Sequence, residues 1–502
     1  MTFDPFAGQI FADNAWRAAA SPGRQERLDP ATLEPVGRIA LTERAEIEAI
    51  VARANEAQRA WARTDAKTRA HLLHQVANSI AADSHHDVAE IMTREMGKPW
   101  GEALGEIANV APVFRYMAEL ARDEAGKVAG TTQAGSFQYA RYEPYGVSVH
   151  IMPFNFPILL MCWTVAASLA AGNAVVIKPA EPTTLSTLAF MKHFLSLPPG
   201  LVSCLPGGGG TGQGLIESEG THLVAFTGGV ETGRKVAVAC AERFKPCLVE
   251  AGGNDAMIVM DSAPVDVAAA GAVCAAFHLS GQVCTSAERL FVHERVHDEF
   301  LDAFAERTKA LRVGNGLERT EIGPLVSEAA RDKIAALVED AVRQGARVVT
   351  GGRVPPGRNT GWFYEPTILA DCRPDMALFQ GESFGPVAAV VKVRDLDEAL
   401  RLANDSRYGL GGSIFTMRMD EAQRAIEAFE CGMVWVNNPL IDNDALPFGG
   451  WKHSGLGREL GRQGLEFFRR PKMVILDAVP QVQTWWYPYG EAMFHPKARR
   501  TT

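Results

Sequence analysis

The sequence predicts an α/β protein: a doubly wound parallel sheet, a second α/β domain and a small β element. Three observations predict it. The chain has 502 residues, well past the roughly 250–300 at which a single hydrophobic core stops growing, so two or three domains are expected. Between 150 and 253, short apolar runs (Ala174–Ile177, Leu201–Leu205, Leu223–Phe226, Cys247–Glu250) alternate with helical stretches, the rhythm of parallel βαβ units. A second such rhythm starts after 254, with Ala256–Met260, Arg289–His293, Ala346–Thr350, Val387–Val393 and Met433–Val436.

Residues from about 42 to 124 read as consecutive helices. Thr42 is placed to cap the first, Glu43 suits its first turn, and Ile47, Ile50, Val51 and Ala54 recur at helical spacing. From about 126 to 150 the pattern turns to strands: Phe137–Tyr142 alternates, and Val147–Ile151 follows a Pro-Tyr-Gly turn. The tail carries a strand-like run, Lys472–Asp477, and then Trp485-Trp486-Tyr487, an aromatic cluster expected to be covered.

Composition is that of a globular enzyme, 47% hydrophobic and 22% charged. A formal charge of −9 argues against nucleic acid or an anionic membrane as the main partner. The eight cysteines form no C-x-x-C pair, so neither a zinc site nor a disulfide framework is indicated, and a reducing, cytoplasmic setting is expected. The opening MTFDPFAGQI lacks the basic-then-apolar pattern of a secretory signal. The apolar stretch from Phe156 to Ile177 is about as long as a membrane span. Pro157 opens it and Gly172-Asn173 interrupts it, so a buried helix from about Ile158 to Ala171 and a short strand are expected instead.

In a doubly wound sheet, ligands gather where strands run into loops. Three such segments carry chemistry: Pro153-Phe154-Asn155-Phe156-Pro157, Leu248-Val249-Glu250-Ala251-Gly252-Gly253, and Gly281-Gln282-Val283-Cys284-Thr285-Ser286. Taken singly, a cysteine is most often a structural thiol, a glutamate before glycines ends a strand, and an asparagine between prolines caps a turn. Their conjunction carries the case.

In this order the segments resemble the aldehyde dehydrogenase superfamily, from about 30 to 475. Pro153–Pro157 is similar to P-W-N-[FY]-P, with Phe154 where Trp is commoner, and Lys178-Pro179-Ala180-Glu181 to K-P-[AS]-E. Phe226-Thr227-Gly228-Gly229-Val230-Glu231-Thr232-Gly233 resembles F-T-G-S-x-x-x-G, and Glu250–Gly253 resembles E-L-G-G apart from Ala251. Gly281–Cys284 resembles G-Q-x-C, Glu382–Pro386 E-x-F-G-P, and Pro447–Lys452 P-F-G-G-x-K.

The resemblance implies oxidation of an aldehyde to a carboxylic acid with NAD⁺, NADP⁺ remaining open, through a thioester on Cys284. The chemistry stands on its own terms. Removing hydride from an aldehyde first requires a tetrahedral carbon, which a thiolate makes readily. The alkoxide then needs donors, assigned to the Asn155 amide and the Cys284 backbone N–H. Glu250 is the implied general base for hydrolysis, easier to protonate than a surface glutamate through partial desolvation.

Implied cofactor contacts are Met152, Pro153, Phe154, Lys178, Glu181, Gly207, Gly209, Gly212, Phe226, Thr227, Gly228, Gly229, Thr232, Ala251, Gly252, Glu382 and Phe384. A carboxylate at 181 favours NAD⁺ by repelling a 2′-phosphate. The implied aldehyde channel takes Phe156, Leu160, Trp163, Val283, Thr285, Asp442 and Phe448, with Leu159 equally readable as core. The loop Ile441-Asp442-Asn443-Asp444 is either simply solvated or an acidic mouth suited to a cationic aldehyde.

The resemblance divides the chain into an NAD-binding domain (1–125 and 145–253), a catalytic domain (254–465) and an oligomerisation element with a C-terminal tail (126–144 and 466–502). A homodimer or homotetramer is expected. Acylating relatives that pass the thioester to coenzyme A generally lack the glutamate present here as Glu250, and non-catalytic relatives lose the nucleophile or the amide donor.

Overall fold

The computed structural model describes residues 6–123 and 125–495. By contacts, one compact unit takes Met1–Asp123 with Pro144–Arg469, and a small second unit takes Glu124–Glu143 with Arg470–Thr502.

Two sheets organise the large unit. The first runs in the order Gly455–Leu456, Cys247–Ala251, Leu223–Gly228, Val147–Ile151, Ala174–Lys178, Val202–Cys204, Gln9–Ala12, Ala15–Ala18. Its five central strands are parallel. From Val147–Ile151 the chain winds one way to Ala174–Lys178 and Val202–Cys204, then returns on the other side with Leu223–Gly228. That reversal opens a crevice beyond the carboxyl ends of Val147–Ile151 and Leu223–Gly228. Val147–Ile151 is thus the middle of the large sheet, not an extension of the hairpin before it.

The second sheet has the order Arg347–Thr350, Thr367–Ala370, Val387–Val393, Ala287–His293, Asp255–Val259, Gly411–Phe415, Met433–Val436, parallel except at its first pair. Its flanking helices pack in two apolar clusters drawn from residues between 256 and 431, separate from the cluster around the first sheet. Each sheet therefore has its own core, although both lie within one compact unit.

Five helices cover 44–123: Arg44–Trp61, Ala66–Ala82, His86–Met96, Trp100–Ala108 and Val110–Asp123. Thr42 does not cap the first of them. The cap position is Glu43, with no side-chain bond. The Thr42 hydroxyl instead donates to the Pro206 carbonyl at 2.7 Å, anchoring the glycine loop that follows.

The apolar stretch forms the helix Leu159–Ala171, every residue of it buried, and stops at Gly172 as expected. Asn173 then donates to the Phe468 carbonyl and accepts from the Gly146 N–H, so the polar break in the run is itself satisfied in the core. Among the described residues no helix is long and apolar enough to cross a membrane. Sequence periodicity missed Gln9–Ala12, Ala15–Ala18, Arg24–Leu28, Pro35–Ala40, Thr367–Ala370 and Gly411–Phe415, which are short or lack alternation.

The small unit is a three-stranded sheet, Arg469–Asp477, Ser136–Pro144 and Gly126–Val128. Lys472 pairs with Glu143 across it at 2.6 Å. Met473, Ile475, Leu476, Val128 and Phe137 are exposed on it, and Trp485, Trp486 and Tyr487 are exposed in the single chain rather than covered.

Candidate active site

A cavity of about 890 Å³ occupies the crevice of the first sheet. It brings Cys284, Glu250 and Asn155 into one space. The first sheet contributes by its carboxyl ends, through Met152, Lys178, Thr227, Glu250 and Ala251. The second sheet contributes by its amino ends: Cys284 and Phe384 precede their strands, Ala287–His293 and Val387–Val393, and Leu410 precedes Gly411–Phe415. Cys284 therefore enters from the side opposite to the carboxyl-end rule that located the other loops.

Close backbone approach sets the convergence. A Cβ on Gly253 would stand 2.4 Å from the Cys284 carbonyl oxygen, so the strand carrying Glu250 can reach the nucleophile loop only with glycine there. Leu279 and Ser280 before Cys284 have left-handed backbones (φ 52° and 56°). Ser280 donates to the Gly323 carbonyl at 2.9 Å and Gln282 accepts from the Val326 N–H at 3.0 Å, which hold this strained turn in place.

Asn155 is buried on the loop between strand Val147–Ile151 and helix Leu159–Ala171. A buried ion pair fixes that loop. Lys98 Nζ lies 2.5 Å from Glu106 Oε2 and 2.5 Å from the Asn155 carbonyl oxygen, and 4.1 Å above the Phe156 ring. The other Glu106 oxygen accepts from the N–H groups of Ile158 and Leu159, capping the helix start.

Burial pushes the Cys284 thiol up, and the negative charges of Asp255, Glu382, Glu250 and Glu459 push it the same way. Glu250 is 2% exposed, and among the described residues no side chain donates a hydrogen bond to its carboxylate; the backbone N–H of Gly450 is the one donor directed at it. Burial, then the charge of Glu459, raises its pKa well above the ordinary carboxylate range, opposed by Arg458. Glu459 is itself raised to about 8 by burial, although Thr227 donates to it at 3.3 Å. Sequence reasoning missed Glu459 because no motif singles it out. It also missed Lys98 and Glu106, whose signal is a lysine and a glutamate on a stretch otherwise reading as buried helix.

The remaining walls suit a dinucleotide. Helices Gly209–Glu217 and Val230–Ala241 start at the cavity, offering N–H groups and the positive end of each dipole to a pyrophosphate. Space is open above Gly209 and Gly229. Met152, Pro153, Phe154, Lys178 and Glu181 line one side. Phe226, Thr227, Gly228 and Thr232, with Gly212, line another. Ala251, Gly252, Glu382 and Phe384 close the end beside Cys284. Phe384 is held by buried Glu288, which accepts from the N–H groups of Ser383 and Phe384 at 2.8 Å each, and its ring meets Phe154 edge-on at 5.7 Å. Gly207 lies off the wall, turned against the Thr211 side chain, and Gly208 takes the lining position instead.

Of the channel residues, Leu160 and Phe448 line this cavity. Trp163 packs on Phe448 at 4.8 Å behind it, and Phe156 stacks on His278 at 6.2 Å. Val283 and Thr285 are buried beside Cys284, and Asp442 is exposed. None of these last five residues lines the cavity.

The family model described as "Aldehyde dehydrogenase family" matches residues 16–474. A betaine aldehyde dehydrogenase of Bacillus subtilis is 34% identical over 485 residues, covering 95% of this chain and 99% of its own. The crystal structure of a betaine aldehyde dehydrogenase from Staphylococcus aureus in complex with NAD⁺ superposes with a TM-score of 0.92 at 30% identity, covering 96% of this chain and 97% of that one. The ordered motifs, the two-sheet fold and these likenesses converge: the chain belongs to the aldehyde dehydrogenase family, oxidoreductases acting on aldehydes.

Proposed function

We propose that the chain oxidises an aldehyde to a carboxylic acid with NAD⁺, using Cys284 as nucleophile, Asn155 as oxyanion donor and Glu250 as base. The carrying observation is the single cavity shared by these three residues and by Lys178, Glu181 and two helix starts. Bound NAD⁺ supplies the hydride acceptor. Cys284 adds to the carbonyl carbon, and its proton passes to Glu250 in its ionised form, which the raised pKa makes a stronger base than a surface carboxylate. The Asn155 amide and the Cys284 N–H stabilise the alkoxide. After hydride loss Cys284 holds a thioester; Glu250, having released the thiol proton to solvent, removes a proton from the water that cleaves it.

Stopped-flow NADH formation separates these roles. Cys284→Ser abolishes it. Asn155→Ala slows the burst by about 10²–10³-fold. Glu250→Gln leaves a single slow turnover that stalls at the acyl stage. Full-rate NADH formation by Cys284→Ser overturns the assignment.

A cationic aldehyde is the favoured substrate class. Both named relatives act on betaine aldehyde. In this chain, Asp442 and Asp444 place two carboxylates on one loop, a local negative charge that a cation would relieve. The test is kcat/KM for betaine aldehyde and aminobutyraldehyde against uncharged aldehydes of equal length, in the native protein and in Asp442→Asn. Equal values across the set remove this reading.

We also infer that the sheet of the small unit joins copies of the chain, with the halves around the first and second sheets serving as cofactor and catalytic domains. Exposed Met473, Ile475, Leu476 and Phe137 on one small sheet support an interface. Sedimentation of Ile475→Asp against the native chain tests it, the expected result being a smaller species. The free cysteines fit a reducing, cytoplasmic compartment.

A further inference from the structure

Away from the cavity, the turn between helices Ala66–Ala82 and His86–Met96 carries Asp83 and His85, and the 3-10 turn Met191–Phe194 brings His193 beside them. Asp83 Oδ2 lies 4.0 Å from His85 Nδ1 and 3.7 Å from His193 Nε2. All three atoms fall within 4.8 Å of one another.

Both imidazoles are more than nine-tenths buried, at 6% and 3% exposed. Each has one nitrogen engaged elsewhere. His85 Nε2 stands 2.7 Å from the Ile80 carbonyl, which can only accept, so that nitrogen carries the proton and Nδ1 keeps its lone pair. His193 Nδ1 pairs with the Ser79 hydroxyl at 2.9 Å. The two remaining nitrogens, His85 Nδ1 and His193 Nε2, are buried without a hydrogen-bond partner and face the same carboxylate oxygen. Buried ring nitrogens left without a partner are costly, and two together at one point call for a ligand; with the Ser79 hydroxyl donating to His193 Nδ1 and a metal on Nε2, both rings ligate in neutral form. Further, His85 has a left-handed backbone (φ 57°), uncommon for a non-glycine residue, and its N–H donates to Asp83 Oδ1 at 3.1 Å, which orients the carboxylate.

We propose that Asp83, His85 and His193 form a binding site for a divalent transition ion of the Zn²⁺ type, with solvent as the fourth ligand. Two neutral imidazoles and one carboxylate suit zinc and its neighbours, whereas Mg²⁺ and Ca²⁺ take oxygen sets. Tetrahedral zinc with such ligands spaces them about 3.3 Å apart, so the two gaps to Asp83 close by less than about 1 Å and the gap between the imidazoles by at most about 1.5 Å.

Lys192 now holds the cation position, with Nζ 2.7 Å from Asp83 Oδ2. Asp87 lies 3.0 Å from the same ammonium and offers it a second partner when an ion takes its place. Asp83 and Lys192 are the partly exposed members, which leaves a way in. The ion would staple the end of one helix to the turn that follows helix Thr184–Phe190. Glu95, on helix His86–Met96, already caps the start of that helix through the N–H groups of Leu185 and Ser186.

Cobalt(II) is the probe, used on full-length Cys284→Ala protein so that the reactive thiol contributes no ligand. The expected result is one Co²⁺ per chain with four-coordinate visible bands and no thiolate charge-transfer band. His193→Gln and Asp83→Asn weaken binding at least about tenfold. Lys192→Met tightens it, and because Lys192 sits at the surface this arm does not depend on the buried variants folding. Zn²⁺ raises the Tm of Cys284→Ala protein and leaves that of its His193→Gln derivative unchanged. No bound cobalt at excess metal, or binding indifferent to His193→Gln and Lys192→Met, overturns the proposal.

Discussion

Gly281 and Gly385 meet so closely that a Cβ on Gly281 would stand 2.1 Å from the Gly385 carbonyl oxygen. Gly281 also has φ +72°, in the left-handed region. The contact locks the loop of Cys284 against the loop that carries Glu382 and Phe384, so glycine at 281 sets where Cys284 stands relative to these two cavity residues. Gly281→Ala must move one loop or the other. A shift near 1 Å at a reacting atom costs about 10²-fold in rate. The expected outcome is a fall in kcat of at least about 10²-fold with NAD⁺ binding, read by fluorescence titration, largely kept. Near-native turnover in Gly281→Ala shows that the contact does not set the geometry.

The buried Lys98–Glu106 pair gives a second prediction. Both side chains are fully buried, and together they hold the Asn155 carbonyl and the start of the following helix. Lys98→Met leaves the Glu106 carboxylate buried without its counter-charge, a loss of about 3–5 kcal/mol. A lowered midpoint in urea unfolding is expected, and Lys98→Met/Glu106→Leu recovers part of it. The burst of NADH slows in the single variant, since the loop that aims the Asn155 amide is no longer held.

Much of this arrangement is legible in the sequence, for stateable reasons. The βαβ rhythm from 150 to 253 appears as apolar runs because those strands are covered on both faces. The helix stop at Gly172-Asn173 is local chemistry, as is the start of helix Val230–Ala241 after Gly229. Thr42 shows the limit: its hydroxyl suits a cap, but a tertiary partner at Pro206 takes it. The strands Arg24–Leu28 and Pro35–Ala40 form a peripheral pair whose mixed polarity hides them. Residues that act through distant partners leave no spacing to read. Glu459 meets Glu250 only in the folded chain, and His85 and His193 lie far apart in sequence, so a search through cysteine spacing passes over them.

Glu250 and Glu459 make the protein sensitive to pH in two ways. Glu250 works as a base only when ionised, and both burial and the Glu459 charge resist its ionisation. Where hydrolysis of the thioester limits turnover, kcat therefore rises with pH, at values well above those where an ordinary carboxylate ionises. Glu459→Gln removes the repulsion, lowers the Glu250 pKa and moves that rise to lower pH. Stability runs the opposite way. Glu459 ordinarily titrates near 4.5 and in the fold near 8. Between those values the folded state holds more protons than the unfolded one, so stability falls as pH increases across that window. Tm measured from pH 5 to 9 should fall less steeply in Glu459→Gln, and an unchanged slope excludes Glu459 as a source.

The proposed role of Glu181 is to discriminate between the two dinucleotides. It lines the cavity at the end of strand Ala174–Lys178, and a Cβ on Gly208 would stand 3.2 Å from its Oε1, so the carboxylate lies against the start of helix Gly209–Glu217. A 2′-phosphate brought there meets a negative charge. Beneath it, burial lowers the pKa of Arg27, and the charges of Glu95 and Glu181 resist that lowering. Glu181→Gln removes the repulsion, which favours the phosphorylated cofactor. The ratio of kcat/KM for NADP⁺ over NAD⁺ should rise about tenfold or more, equivalent to about 1.4 kcal/mol or above. Native protein that uses both cofactors equally, with a ratio unmoved by Glu181→Gln, would mean that the carboxylate does not read the ribose.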